Sequence, residues 1–245
     1  MSKQNQTSVV KKEETALAVP KELSGAWGSE NIEAKDILIP RIFVAQKMSE
    51  VCDSEEVKPG EFYRSTDHEV LGGSKKPVEL LVLSFFKTWT IEQKKGDRYE
   101  FEAIRPYVPA DASLPWDFSE DGITKRRNET FNFYVLLISD IKANQPLPFV
   151  ISFRRTSVMC AKQIVSYILS MKQFNSPACT HVLELTTHLK ENDLGSFHVP
   201  QMKKGRRAEI EEMEVAKKWF DAINRGAVKV SPEEETVAPA AKEEY

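Results

Sequence analysis

Between Ile37 and Met202 the chain reads as one strand after another, broken by turn residues at short intervals. Pro59-Gly60, Gly72-Gly73, KKGDR (94–98), DIKANQP (140–146) and ENDLG (191–195) supply the turns. The stretches between them alternate apolar and polar residues, as in YEFEAIR (99–105). Others are mostly apolar, as in FNFYVLLIS (131–139) and LPFVISF (147–153). HVLELTTHL (181–189) and SFHVPQM (196–202) read as a further hairpin. Seven or eight strands at this spacing constrain the chain to a sheet that curls or closes on itself. Such a sheet fits the pattern better than a doubly wound α/β fold, because strands and helices do not alternate regularly.

Two helices interrupt the pattern. Thr156 or Ser157 caps the first, which sets Val158, Ala161, Val165 and Ile168 on one face. The second runs from about Ala208 to Asn224, with Ile210, Met213, Trp219 or Phe220, and Ile223 as its apolar stripe; Arg225-Gly226 ends it. The expected fold is mainly β (α+β): an OB-like curled barrel with one helix between strands and one C-terminal helix. Residues 1–28 and 227–245 are polar, lack sustained periodicity and are expected to be disordered flanks of a domain at 29–226.

Several function classes fall away. The longest apolar runs, such as Tyr134 to Ile138, are far short of the roughly 18–20 residues of a membrane span. The first residues, MSKQNQTSVVKKEE, hold no apolar signal core, so a cytoplasmic location in a bacterial host is expected. GxSxG, HExxH and GxxxxGK[ST] are missing, and the carboxylates sit singly on strands or in loops such as DFSED (117–121), so no catalytic residue and no cofactor is expected. Cys52, Cys160 and Cys179 form no CxxC and read as reduced thiols. Cys179, His181, His188 and His198 match no standard zinc spacing, so no metal is assigned.

Net charge is −3, but the last fifteen residues hold five glutamates against one lysine, which leaves the remainder at +1. A near-neutral body has room for a basic face. Cations also recur beside rings near strand ends. Tyr63 precedes Arg64, and Lys87 sits between Phe86 and Trp89. Lys125, Arg126 and Arg127 precede a strand, while Arg154 and Arg155 follow Phe153. Lys203, Lys204, Arg206 and Arg207 close the last hairpin. Single-stranded nucleic acid needs this mixture: rings stack on bases and cations track phosphates.

Strand geometry sharpens the expectation in ELLVLSFFKTWTI (79–91), where Leu81, Leu83, Phe85, Lys87 and Trp89 share one parity. Either the strand overshoots its barrel and presents Lys87 and Trp89 in a groove, or a bulge near Ser84 re-aims them. Trp89 is expected to be partly exposed. Arg154 and Arg155 are expected to meet the cluster at Lys203 to Arg207 on one rim.

Three stretches carry a resemblance to a known family. They are DILIPRIFVAQKMSE (36–50) with VKPGEFYRS (57–65), NFYVLLI (132–138) with PLPFVISFRRTSVMCAKQI (146–164), and the tail SPEEETVAPAAKEEY (231–245). Together they resemble the single-stranded DNA-binding proteins of bacteriophages, which have an elaborated OB-type core and an acidic C-terminal tail. The resemblance implies sequence-independent binding of single-stranded DNA in phage replication or recombination. It also implies that replication or recombination proteins are partners of the tail, through Glu233, Glu234, Glu235, Glu243, Glu244 and Tyr245. A tethered polyanion can in addition compete with DNA for the domain's own cations at low salt. The alternative is a phage structural or protein-interaction β-domain with no nucleic-acid role.

Overall fold

A computed structural model describes residues 39–96, 98–192 and 195–225. The expected N-terminal arm and the acidic tail, with its six partner-binding residues, lie outside the described residues. The described residues build ten strands: β1 (Arg41–Val44), β2 (Phe62–Arg64), β3 (Val70–Gly72), β4 (Val78–Lys95), β5 (Arg98–Pro106), β6 (Asp117–Glu120), β7 (Ile123–Leu137), β8 (Pro148–Phe153), β9 (His181–Asn192) and β10 (Gly195–Arg207). Four helices accompany them: α1 (Glu50–Asp53), α2 (Ile138–Lys142), α3 (Val158–Gln173) and α4 (Ile210–Asn224). The strands follow the order β10-β9-β4-β7-β8-β1-β2-β3 in a curled half-barrel, the mainly-β, OB-like architecture expected. No helix among the described residues is long and apolar enough to cross a membrane.

The spine is the antiparallel pair β4–β7, in register from Leu80↔Leu137 to Gln93↔Lys125. Its first half is covered on both faces. One face, with Val78, Leu80, Val82, Phe133 and Val135, packs with Cys160, Ala161, Ile164 and Tyr167 of α3. The other, with Leu81, Leu83 and Leu136, packs with Ala216, Met213 and Trp219 of α4. Burial on both faces is why 80–83 reads as an unbroken apolar run.

The second half of the spine leaves the barrel. β9 pairs with β4 only at Val78–Leu80, and β8 pairs with β7 only at Phe131–Leu136. Beyond those limits β5 takes over beside β4, from Thr88 to Lys95, and β6 beside β7, from Ile123 to Arg126. The result is a four-stranded extension, β5-β4-β7-β6. The sequence reading differs here in two respects. Lys125, Arg126 and Arg127 do not precede β7 but lie within it, and the segment 117–121, expected as a loop, forms β6 at Asp117–Glu120. Both segments are too polar to alternate visibly, and cross-strand ion pairs rather than a core hold them.

The half-barrel is latched where its open end meets the segment after β1. The Gln46 side chain imitates a strand against β10: Nε2 donates to the His198 carbonyl (3.0 Å), and Oε1 accepts from the His198 N–H (2.9 Å). Beside it, Thr187 Oγ1 donates to the Gly60 carbonyl at 2.5 Å. Gly60 has φ +88°, and a Cβ there would lie 2.3 Å from His198 Nδ1. Gly122 has a similar φ of +77° but open space around it. Gly60→Ala should therefore lose more than the roughly 1–2 kcal/mol of left-handed strain that Gly122→Ala carries. At about 2–4 °C per kcal/mol, its thermal midpoint should fall clearly below that of Gly122→Ala. Equal midpoints would show that the latch contributes nothing.

Candidate nucleic-acid interface

Two residues of β4, Leu83 and Ser84, carry the strand past Tyr134 through a bulge, so Val82 faces Val135 and Phe85 faces Phe133. Both expected alternatives are thus realised together: the strand overshoots, and a bulge re-aims it. Phe85 stays with the α3-side core, its ring 5.0 Å from Phe133. Lys87, Trp89 and Ile91 continue on that face by period two. The partners across the strand make the placement of a lysine there tolerable. Lys87 Nζ pairs with Glu129 at 2.6 Å and lies 4.9 Å from the Tyr107 ring and 4.7 Å from the Phe131 ring.

Trp89 corrects an expectation. It is buried, 8% exposed, with its ring 5.1 Å from and stacked on Tyr107. Removing a buried Trp side chain costs about 3–5 kcal/mol of packing, so Trp89→Ala would report stability before binding. Trp89 nevertheless lines a cleft of about 310 Å³ on the extension, with Ile91, Arg105, Pro106, Val108, Asp111, Phe118 and Arg127. Arg127 lies over Phe118, 4.4 Å from ring centre, and its backbone N–H donates to Trp116 O at 2.8 Å. That bond holds the loop after β5 against β7. The loop exposes Trp116 (71%), Val108 (47%) and Leu114 (45%).

Of the expected site residues, the fold brings Trp89 and Arg127 into this one cleft and distributes the others. Lys125, on the cleft face, is buried between Glu102 (2.5 Å) and Glu120 (2.8 Å). Arg126 points to the opposite face, paired with Asp117 at 2.8 Å and 3.9 Å from the Tyr99 ring. Phe86 also faces away and packs on Tyr134 at 5.2 Å. Phe153 is wholly core. Arg155 follows in a short 3₁₀ turn (Arg155–Ser157) with φ 51°, and pairs with the buried Glu92, which also accepts from Asn128 Nδ2. Arg154 donates its backbone N–H to Ser157 Oγ, and its Nη1 is buried without a partner.

Tyr63 and Arg64 stand elsewhere, on β2. Arg64 pairs with Asp140 and Glu69, each at 2.7 Å, and burial pushes the Tyr63 hydroxyl pKa up. Arg206 forms a two-bond pair with the buried Glu212, at the start of α4. Lys203, Lys204 and Arg207 stay exposed at the end of β10, with only a 3.7 Å approach of Lys203 to Glu184. The turn at Arg155 lies against β10, but Arg155 and Arg206 are each already paired with a carboxylate, Glu92 and Glu212.

Sequence reasoning passed over Trp116, Phe118, Tyr107 and Arg105. The signal was present: WDF (116–118) sets two rings around an aspartate. The three cysteines are free thiols, and burial pushes Cys160 up to about 12. Among the described residues no group of three or more His, Cys, Asp or Glu side chains is arranged to hold a metal.

The Pam3 phage gp34-like protein family matches residues 10–229, nine-tenths of the chain, and the chain belongs to that family. No curated protein and no solved structure matches it.

Two carboxyls of the extension are held below their ordinary range by paired cations. Hydrogen bonds from Arg105 and then Lys125 pull the Glu120 carboxyl down to about 2, and Arg126 lowers Asp117 in the same sense. A carboxyl held below its unfolded value stabilises above that value and stops doing so as pH falls through the folded one. The Glu120 contribution is therefore present above 4.5 and lost between 4.5 and about 2. An NMR titration of the Glu120 carboxyl should give a midpoint well below 4.5, and Arg105→Gln should raise it. A midpoint at the ordinary value would contradict the paired geometry.

Proposed function

We propose that this member of the gp34-like phage family binds single-stranded DNA largely independently of sequence, in phage replication or recombination in the host cytoplasm, without catalysing a reaction. The observation that carries the reading is the surface of the extension around Trp116. A ring 71% exposed stands on a loop tied to Arg127, whose guanidinium and Phe118 form part of the cleft wall. Such a surface offers stacking to any base, at about 1–3 kcal/mol per base. An OB-like half-barrel supports the same reading, since such folds commonly hold single strands across a curled sheet.

The cations support it less evenly. In the extension Lys87, Arg105, Lys125 and Arg126 each face a carboxylate. Phosphate contacts in this reading fall to Lys203, Lys204 and Arg207. Fewer phosphates neutralised means a shallow salt slope, about 0.7 per phosphate for single strands. The tail glutamates and Tyr245 would engage replication or recombination proteins. The same carboxylate pairing favours a second reading, a protein-docking module whose apolar patch is Val108, Leu114 and Trp116.

Anisotropy of a labelled oligo-dT across a salt series separates the two. Trp116→Ala should keep the wild-type melting curve, because the ring is exposed, and lose about 1–3 kcal/mol of binding. Undiminished affinity in that variant would remove the stacking role. No binding by the wild type at the lowest salt would leave the docking module.

A further inference from the structure

Two residues that line the cleft on the extension each carry a donor that no described residue satisfies. Trp89 Nε1 and Arg127 Nε are both buried and lack a hydrogen-bond partner. Both side chains line the same cleft. Indole and guanidinium nitrogens donate and do not accept. A buried donor without an acceptor is costly, so a ligand that brings acceptors gains twice: it makes the bond and relieves the orphan.

The surroundings narrow the class of ligand. The volume of about 310 Å³ lies at the small end of ordinary ligand pockets, roughly 300–1,000 Å³. The walls are flat and largely apolar: the indole of Trp89, the ring of Phe118 beneath Arg127, and Ile91. An anion is disfavoured. Arg105 is engaged with Glu120 at 2.7 Å, and the Asp111 carboxylate stands in the lining. The fitting ligand is neutral, planar and rich in acceptors, with an N–H for the carboxylate. Thymine has two carbonyl oxygens flanking one N–H; adenine has no carbonyl.

We infer that the cleft takes one keto base, thymine in DNA, with Trp89 Nε1 and Arg127 Nε donating to its carbonyl oxygens. This rests on the single-strand reading above and adds a base preference to stacking that is otherwise indifferent to sequence.

The test compares a labelled thymine tract with a tract of equal length in which difluorotoluene replaces every thymine. Difluorotoluene keeps the shape, stacks at least as well, and lacks the carbonyl acceptors and the N–H. The wild type should bind the thymine tract about ten-fold more tightly or better, the scale expected when buried donors lose their acceptors. Arg127→Met keeps the stem and removes the donor, and the ratio should shrink to about three-fold or less. Trp89→Phe keeps a ring and removes the other donor, and should shrink it likewise. If both variants fail to fold, the wild-type ratio alone decides. Equal or tighter binding of the difluorotoluene tract overturns the inference and leaves single-strand binding standing. Failure of both tracts to bind overturns that reading as well.

Discussion

The extra residue of β4 between Val82 and Ser84 decides where every later side chain of that strand points. Before it, Leu81 and Leu83 face α4 while Leu80 and Val82 face α3. After it the parity is exchanged. Phe85, Lys87, Trp89 and Ile91 then share the α3-side face, while Thr88, Thr90 and Glu92 take the other. Without the bulge, Lys87 and Trp89 would continue the α4 side and the threonines would follow Val82. One inserted residue turns the whole face of a strand. Here it places an aromatic stripe and its lysine where Glu129, Tyr107 and Phe131 are waiting.

The opposite face of the extension is polar and buried, which requires a closed set of bonds. Thr90 and Thr130 bond to each other at 2.7 Å. Asn132 donates to Thr88 and accepts from Ser152, which in turn accepts from Arg41. Glu92 is held by Asn128 and Arg155. This ladder ties the extension to β8 and β1, so a four-stranded element with little core of its own is anchored through hydrogen bonds. On the cleft face two buried donors, Trp89 Nε1 and Arg127 Nε, stay unpaired.

The barrel half of this arrangement was legible in the chain. Apolar runs bounded by turn residues gave the strands of the core, and the α3 stripe appeared at helical spacing, as did Met213, Trp219 and Ile223 of α4, whereas Ile210 of the expected α4 stripe is 68% exposed. Even the overshoot and the bulge could be framed from one strand, because Lys87 cannot share a face with Leu81 and Leu83 inside a core. The burial of Trp89 could not be read, since it depends on Tyr107, which reaches it only after β5 has folded back along β4. Nor could the pairing of cations. Arg155 and Glu92 are 63 residues apart, and Lys87 and Glu129 are 42 apart. A cation beside a ring in sequence says nothing of the carboxylate that a neighbouring strand delivers. Trp116 was missed for the opposite reason: prolines around it signal a loop, and a loop gives no parity from which exposure can be argued.

The central claim is that the extension meets the bases of the single strand, whatever phosphate contacts the end of β10 adds. Amide hydrogen exchange with and without saturating oligo-dT tests it most directly, because it reports each segment separately. The account predicts slowed exchange across 88–91, 105–118 and 125–127. Slowing confined to β9, β10 and α3, with the extension unchanged, would contradict it.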